Sequence, residues 1–84
     1  MTPITNSSVN SQSLDYYLNL PYPITLYPAS EGGYVAEIKD LQGCLTQGET
    51  LEETINNINE AKALWLETAY DEGDQIPLPS HTEL

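Results

Sequence analysis

Residues 32–73 read GGYVAEIKDLQGCLTQGETLEETINNINEAKALWLETAYDEG, and this stretch decides the fold. Between Tyr34 and Asp40 the residues alternate, which places Tyr34, Ala36 and Ile38 on one face of an extended chain. Such alternation is typical of a β-strand that is buried on one face only. The second part of the stretch repeats its apolar residues at helical spacing, so the stretch predicts strands followed by a helix.

A further strand is predicted on each side of this one along the chain. Tyr22–Pro28 is rich in β-branched and aromatic residues, and the turn residues Ser30–Gly33 join it to the next strand as an antiparallel hairpin. Cys44–Gln47 is predicted as a short third strand that ends at Gly48. Three strands with one apolar face need a covering element, which the helix would supply.

The helix is predicted over Leu51–Glu72. Thr50 fits the N-cap position, Glu53 fits the position from which a side chain reaches back to the Thr50 amide, and Gly73 fits the residue after the helix end. The residues predicted to face the sheet share one stripe, which consists of Leu51, Ile55, Ile58, Trp65 and Ala69, with Ala61 and Lys62 beside a gap. The predicted fold class is α+β, a small antiparallel sheet of three or so strands covered by one long helix.

The length of this helix suggests self-association. At about 1.5 Å per residue it would be roughly 33 Å long, which exceeds the width of a three-stranded sheet. We therefore expect its far end to pack on another subunit through Trp65, Leu66 and Tyr70. A chain of 84 residues has a small core, and domains of this size often gain stability by oligomerising, so a homo-dimer or tetramer is expected.

Composition divides the chain into three segments. Residues 1–12 are rich in Ser, Asn and Thr and lack an apolar period, which predicts a flexible leader. Residues 13–79 form the predicted domain, which starts with a short helix over Ser13–Leu20 capped by Ser13 and leaves the long helix as an extended segment at Ile76–Pro79. Residues 80–84 are predicted as a short polar tail.

The charge of the chain favours a protein partner over nucleic acid. Thirteen acidic side chains stand against Lys39 and Lys62, which gives a formal net charge of −11. Binding to nucleic acid needs clustered Lys and Arg, so it is disfavoured, whereas a basic protein would be attracted. Charge that only maintains solubility is an equal alternative on this evidence. Without an apolar run of about 20 residues or a secretory signal, a cytoplasmic protein is expected.

Catalytic chemistry finds no support in the residue inventory. Cys44 is the only cysteine and His81 the only histidine, so a zinc site of the usual type is excluded, and Cys44 is expected to be a small buried residue. A metal-dependent nuclease needs converging carboxylates, but the strand acids Glu37 and Asp40 have an odd spacing that puts them on opposite faces. We expect no enzyme activity, no metal and no cofactor.

An ordered set of short motifs resembles the HicB family of antitoxins. The resemblance covers residues 14–80, and the matching pieces are Gly33-Tyr34-Val35-Ala36, Asp40-Leu41-x-Gly43-Cys44, Thr46-x-Gly48-x-Thr50-x-Glu52-Glu53, the helix face from Ala61 to Trp65, and Ile76-Pro77-x-Pro79. It implies a partial RNase H-like fold and a protein that binds and neutralises HicA, a small basic mRNA-cleaving ribonuclease toxin.

This chain differs in one respect from the usual pattern of the HicB family. Many HicB proteins carry a C-terminal DNA-binding region and repress their own operon. This sequence ends about where that region would begin and holds two basic residues, so we expect a short form that does not bind nucleic acid directly. Family members commonly form dimers or tetramers, in agreement with the expectation from chain length.

A toxin-binding surface is predicted from the acidic residues near the sheet and the helix start. Such a surface would compete with RNA phosphates for the basic groups of a ribonuclease. For Glu52 and Glu53, helix capping and solvation are the favoured alternative. The predicted residues are Tyr34, Glu37, Asp40, Glu49, Glu52 and Glu53. The alternative function is an orphan HicB-like oligomeric module that binds proteins but has no toxin partner.

Overall fold

The computed structural model describes residues 10–80, which form a three-stranded antiparallel sheet and two helices. The sheet order is β1-β2-β3, so the second strand is central. The elements in chain order are α1 (Leu14–Leu18), β1 (Thr25–Pro28), β2 (Tyr34–Glu37), β3 (Leu45–Gly48) and α2 (Leu51–Asp71). The predicted α+β class, with one long helix on a small antiparallel sheet, is confirmed. No helix in this part of the chain is long and apolar enough to cross a membrane.

The strand register assigns the side chains to two faces of the sheet. Leu26 pairs with Ala36 and Ala36 with Thr46, so these three side chains share the face on which α2 packs. Ala36 and the following Ile38 are fully buried there. The alternation predicted for this strand is therefore confirmed, and its odd-numbered side chains lie on the other face.

The first two strands are shorter than predicted because their ends serve other contacts, whereas β3 has the predicted length and is shifted by one residue. Strand β1 starts at Thr25, whereas Tyr22 is buried and donates a hydrogen bond from its hydroxyl to the Pro77 carbonyl at 2.7 Å. Strand β2 ends at Glu37, and a tight turn follows in which the Leu41 amide donates to the Ile38 carbonyl. The residues that lead into the sheet thus anchor neighbouring segments instead of extending the ladder.

Helix α2 begins and ends where the capping pattern predicts. The Thr50 hydroxyl accepts a hydrogen bond from the Glu53 amide at 3.0 Å, and Gly73 follows the helix with φ +72°. The prediction that the Glu53 side chain accepts a hydrogen bond from the Thr50 amide was wrong. The Glu53 carboxylate accepts from the Glu49 amide at 2.8 Å instead of the Thr50 amide, so it satisfies the residue before the cap.

The buried stripe of α2 is rotated from the predicted one. Leu51 is 48% exposed, whereas Thr54 is fully buried. A Cβ atom on Gly48 would lie 2.5 Å from the Thr54 Oγ1 atom and 2.7 Å from its amide nitrogen. The helix start therefore lies directly against the β3 backbone, and only a residue without a side chain fits at position 48.

The far half of α2 is covered by other parts of the same chain. Helix α1 packs on α2, and the Tyr17 ring lies 6.3 Å from the Tyr70 ring between centroids. Leu66 is fully buried here, and Ile76 from the segment after α2 is buried with it. The prediction that this end needs a second subunit for cover is therefore wrong for Leu66.

The segment after α2 is fastened by side chains from distant parts of the sequence. Asn10 donates to the Asp74 carbonyl at 2.8 Å and accepts from the Ile76 amide at 2.9 Å. Asp40 accepts hydrogen bonds from the Ser80 amide, at 2.8 Å, and from the Ser80 hydroxyl. Asn10 belongs to the predicted leader, residues 1–12, of which residues 1–9 lie outside the described residues, as do residues 81–84. The segment boundaries stay a prediction.

Candidate protein-binding surface

The predicted toxin-binding residues occupy three separate places in the structure. Tyr34, Glu49 and Glu53 line one depression together with Glu31, which the sequence reasoning missed. The depression lies where the β1–β2 hairpin loop meets the start of α2. Its shape depends on Gly33, because a Cβ atom there would lie 2.5 Å from the Gly48 carbonyl oxygen.

Two of the acids at this end belong to the helix cap. The Glu53 carboxylate accepts a hydrogen bond from the Glu49 amide. Glu52 is exposed on the first turn of α2 and does not line the depression. Both acids also lie where the helix dipole favours negative charge. The capping alternative therefore accounts for the contacts of Glu53.

Asp40 lies beyond the end of β2, where it holds another segment of the chain in place. Its carboxylate accepts two hydrogen bonds from Ser80 and so fixes the segment after α2. Among residues 10–80, no group of three or more His, Cys, Asp or Glu side chains could hold a metal ion. Glu37 and Asp40 thus have separate surroundings and do not form a converging pair.

Glu37 lies on the face of the sheet that α2 does not cover. It is opposite Thr25 on β1 and Leu45 on β3. The Tyr27 hydroxyl donates a hydrogen bond to the Glu37 Oε1 atom at 2.9 Å. We name this face the open sheet face, and its side chains are Thr25, Tyr27, Val35, Glu37, Leu45 and Gln47.

The open sheet face carries large apolar side chains in contact with solvent. Tyr27 is 40% exposed and Leu45 is 54% exposed. The sequence reasoning named neither residue as functional, although the alternation already placed Val35 and Glu37 opposite the buried face. Tyr27 and Leu45 could have been found from the fact that a single helix covers only one face of a sheet and leaves the other face exposed.

The three predicted self-association residues contact the chain's own core or segments next to it. Leu66 is fully buried, the Trp65 indole donates to the Gln42 carbonyl at 2.9 Å, and the Tyr70 hydroxyl donates to the Gln12 carbonyl at 3.0 Å. Trp65 and Tyr70 keep part of their surface exposed. Self-association through them stays a prediction, and Leu66 has no surface left for it.

Cys44 is a buried core residue, as predicted, and its surroundings oppose nucleophilic chemistry. Burial raises the pKa of its thiol above the ordinary value of 9.0, and the nearby Lys62 charge offsets this in part. The reactive form of cysteine is the thiolate, which this raised pKa disfavours near neutral pH.

Residues 22–84 match the family described as the HicB_like antitoxin of bacterial toxin-antitoxin systems, which is most of the chain. The chain belongs to the HicB-like antitoxin family. Members of this antitoxin family are not enzymes, so both the family resemblance and the non-enzymatic prediction are confirmed.

Relatives support the same family assignment. A UPF0150 protein of Synechocystis is 57% identical over 56 residues, which are 67% of this chain and 77% of the relative. Antitoxin HicB of Escherichia coli K12 is 41% identical over 59 residues, which are 70% of this chain and 43% of that protein. Antitoxin HicB 1 of Photorhabdus laumondii is 39% identical over 61 residues, 73% of this chain and 39% of that protein. This HicB-like chain therefore spans about four tenths of the length of these two HicB antitoxins.

Proposed function

We propose that this chain binds a small basic HicA-like ribonuclease toxin and neutralises it by masking the surface with which the toxin holds and cleaves mRNA. The observation that carries the proposal is membership of the HicB-like antitoxin family over residues 22–84. Such a toxin acts on mRNA, so the proposed place of action is the cytoplasm. We further propose that the chain reaches its target by protein contact and not by direct nucleic-acid binding.

The charge of the chain supports this mode of inhibition. A ribonuclease holds its RNA through basic groups, and a protein of net charge −11 offers those groups an alternative set of carboxylates. Complementary charge speeds the encounter of two proteins and becomes less effective as salt screens it. Antitoxin and RNA would therefore compete for one basic surface of the toxin.

The test is co-expression of this chain with the small basic protein encoded beside its gene. We expect the antitoxin to relieve growth arrest caused by the toxin, to be retained on it in a pull-down, and to stop RNA cleavage by the purified toxin. Retention should fall between about 0.05 and 0.5 M salt, because screening lengths shorten from roughly 14 to 4 Å over that range.

A folded chain that retains no partner at any salt concentration would contradict the proposal. It would favour the alternative of an orphan oligomeric protein-binding module. A toxin that is bound but still cleaves RNA would contradict the masking mechanism alone.

A further inference from the structure

The open sheet face is uncovered within the described part of the chain. Helix α2 packs on the opposite face, over β2 and β3, and helix α1 packs on α2. On the open sheet face Leu45 remains 54% exposed and Tyr27 40% exposed. Tyr27 and Leu45 are on the two outer strands, and exposed apolar side chains spread over one sheet face mark a surface on which another protein can dock.

Glu37 gives this face its chemical character. It lies on the central strand, between Thr25 and Leu45, and among residues 10–80 only the Tyr27 hydroxyl donates a hydrogen bond to its carboxylate. Residues 10–80 place no cation against it. A carboxylate held by a tyrosine, with Leu45 on one side and Thr25 on the other, is suited to an arginine or lysine from a partner, because the partner's contacts with the face would exclude water from the ion pair.

The same geometry argues against a second copy of this chain as the occupant. A two-fold interface is built from the same patch on both chains, so a copy docked face to face would bring Glu37 close to its own equivalent. Each copy would also add a net charge of −11. Like charges placed opposite each other cost several kcal/mol at an interface.

We propose that the open sheet face is the surface on which the toxin docks, with Glu37 at its centre pairing with an arginine or lysine of the toxin and with Tyr27, Val35 and Leu45 forming the apolar surround. This inference rests on the proposed function and names the surface that performs it. Of the six residues predicted from the sequence it keeps Glu37 and leaves out the other five, among them Glu49, Glu52 and Glu53 at the helix start.

The test compares two changes on the face with two matched changes elsewhere. Glu37→Lys and Leu45→Glu alter the open sheet face, whereas Glu60→Lys and Leu78→Glu make the same exchanges at exposed positions on α2 and after it. Binding to the purified toxin is measured by calorimetry. We expect each change on the face to weaken binding at least about 30-fold and each control to change it less than about 3-fold.

A second measurement does not depend on any variant. Methyl resonances of Val35 and Leu45 in the wild-type chain should shift when the toxin is added, while those of Leu18, on α1, and of Leu78 should not. Circular dichroism of Glu37→Lys and Leu45→Glu serves as the control for folding, and both spectra should match that of the wild-type chain.

Three outcomes would overturn the inference, and they separate it from the proposed function. If the wild-type chain binds no toxin, both fail. If the wild-type chain and Glu37→Lys bind equally tightly and the Val35 and Leu45 methyls do not shift, the docking surface is wrong while the antitoxin function stands. If Leu45→Glu reduces the oligomer size of the free chain, a second copy occupies the face.

Discussion

Position 48 shows how one missing side chain sets the distance between sheet and helix. Gly48 lies against Thr54, which is fully buried and donates a hydrogen bond from its hydroxyl to the Thr50 carbonyl at 2.7 Å. The atoms that a Cβ would meet at position 48 include the backbone of Thr54, which cannot rotate away. The start of α2 is therefore held in place both by its cap and by this contact.

Gly48→Ala is expected to destabilise the chain by about 1–3 kcal/mol, the usual cost of an added methyl group in a packed site. Urea unfolding followed by circular dichroism measures the change. The neighbouring exposed change Gln47→Ala should cost less than about 0.5 kcal/mol. An equal stability of the two variants would show that the helix start can move away from β3 without cost.

Tyr22 gives the stability of the chain a dependence on alkaline pH. Burial, with smaller contributions from Tyr17 and Asp40, raises the pKa of its hydroxyl from 10.0 to about 12. The folded chain therefore keeps a proton that the unfolded chain loses above pH 10. The associated stability is fully present below pH 10 and is lost as the pH rises to about 12.

We expect Tyr22 to account for a loss of about 2–3 kcal/mol between pH 10 and pH 12. The free energy of unfolding of Tyr22→Phe should depend less on pH in this window. The variant should also be less stable than the wild-type chain at pH 7, because the Pro77 carbonyl loses its hydrogen-bond donor. Urea unfolding of both chains across the window checks this, and parallel curves would contradict the assignment. Because Cys44 is present in both chains, its titration cancels in the difference.

Among the elements, the segment after α2 depends most on residues far away in sequence. Asn10 both donates to this segment and accepts from it, and Tyr22 and Asp40 hold its later part. Ile76 is buried beneath these contacts. The segment is thus part of the fold without being a helix or a strand.

Asn10→Ala should release this segment, because it removes the acceptor of the Ile76 amide and the donor to Asp74. We expect the Ile76 amide to exchange with solvent about 5- to 13-fold faster, which corresponds to one lost hydrogen bond of roughly 1–1.5 kcal/mol. Hydrogen–deuterium exchange measures this, with Ser11→Ala as an exposed control. An unchanged Ile76 rate would show that burial alone holds the segment.

The elements that sequence predicted well are those with local causes. Thr50 caps α2, Ser13 caps α1 and Gly73 ends α2, because caps involve residues close together in the chain. The predicted stripe failed at Leu51 because the contact with Gly48 decides which side of the helix is buried. The docking face was missed because it depends on what covers each side of the whole sheet.

At the scale of the whole molecule, residues 10–80 form two layers, and within this range one sheet face is uncovered and the sheet has two outer strand edges. The free edge of β3 is partly closed, since the Asn57 side chain donates to the Gln47 carbonyl at 2.8 Å. Apolar surface remains beside it, where Leu64 is 66% exposed. The layers thus leave surface both for the toxin and for a further copy of the chain.

We expect the free chain to form a homo-dimer or tetramer at micromolar concentration, because a domain this small leaves much of its apolar surface in water. Light scattering coupled to gel filtration measures the mass. Leu45→Glu should leave that mass unchanged, since the open sheet face is assigned to the toxin. A mass of one chain would contradict the prediction.

The Trp65 indole, which donates a hydrogen bond to the Gln42 carbonyl, also serves as an intrinsic fluorescence probe. Trp65 is the only tryptophan of the chain, so all indole fluorescence reports on one partly buried ring. Because Leu45 lines the same depression as this ring, a tryptophan-free partner that docks on the open sheet face should remove water from the ring and shift the emission to the blue. Unfolding, which exposes the ring to water, should shift the emission to the red.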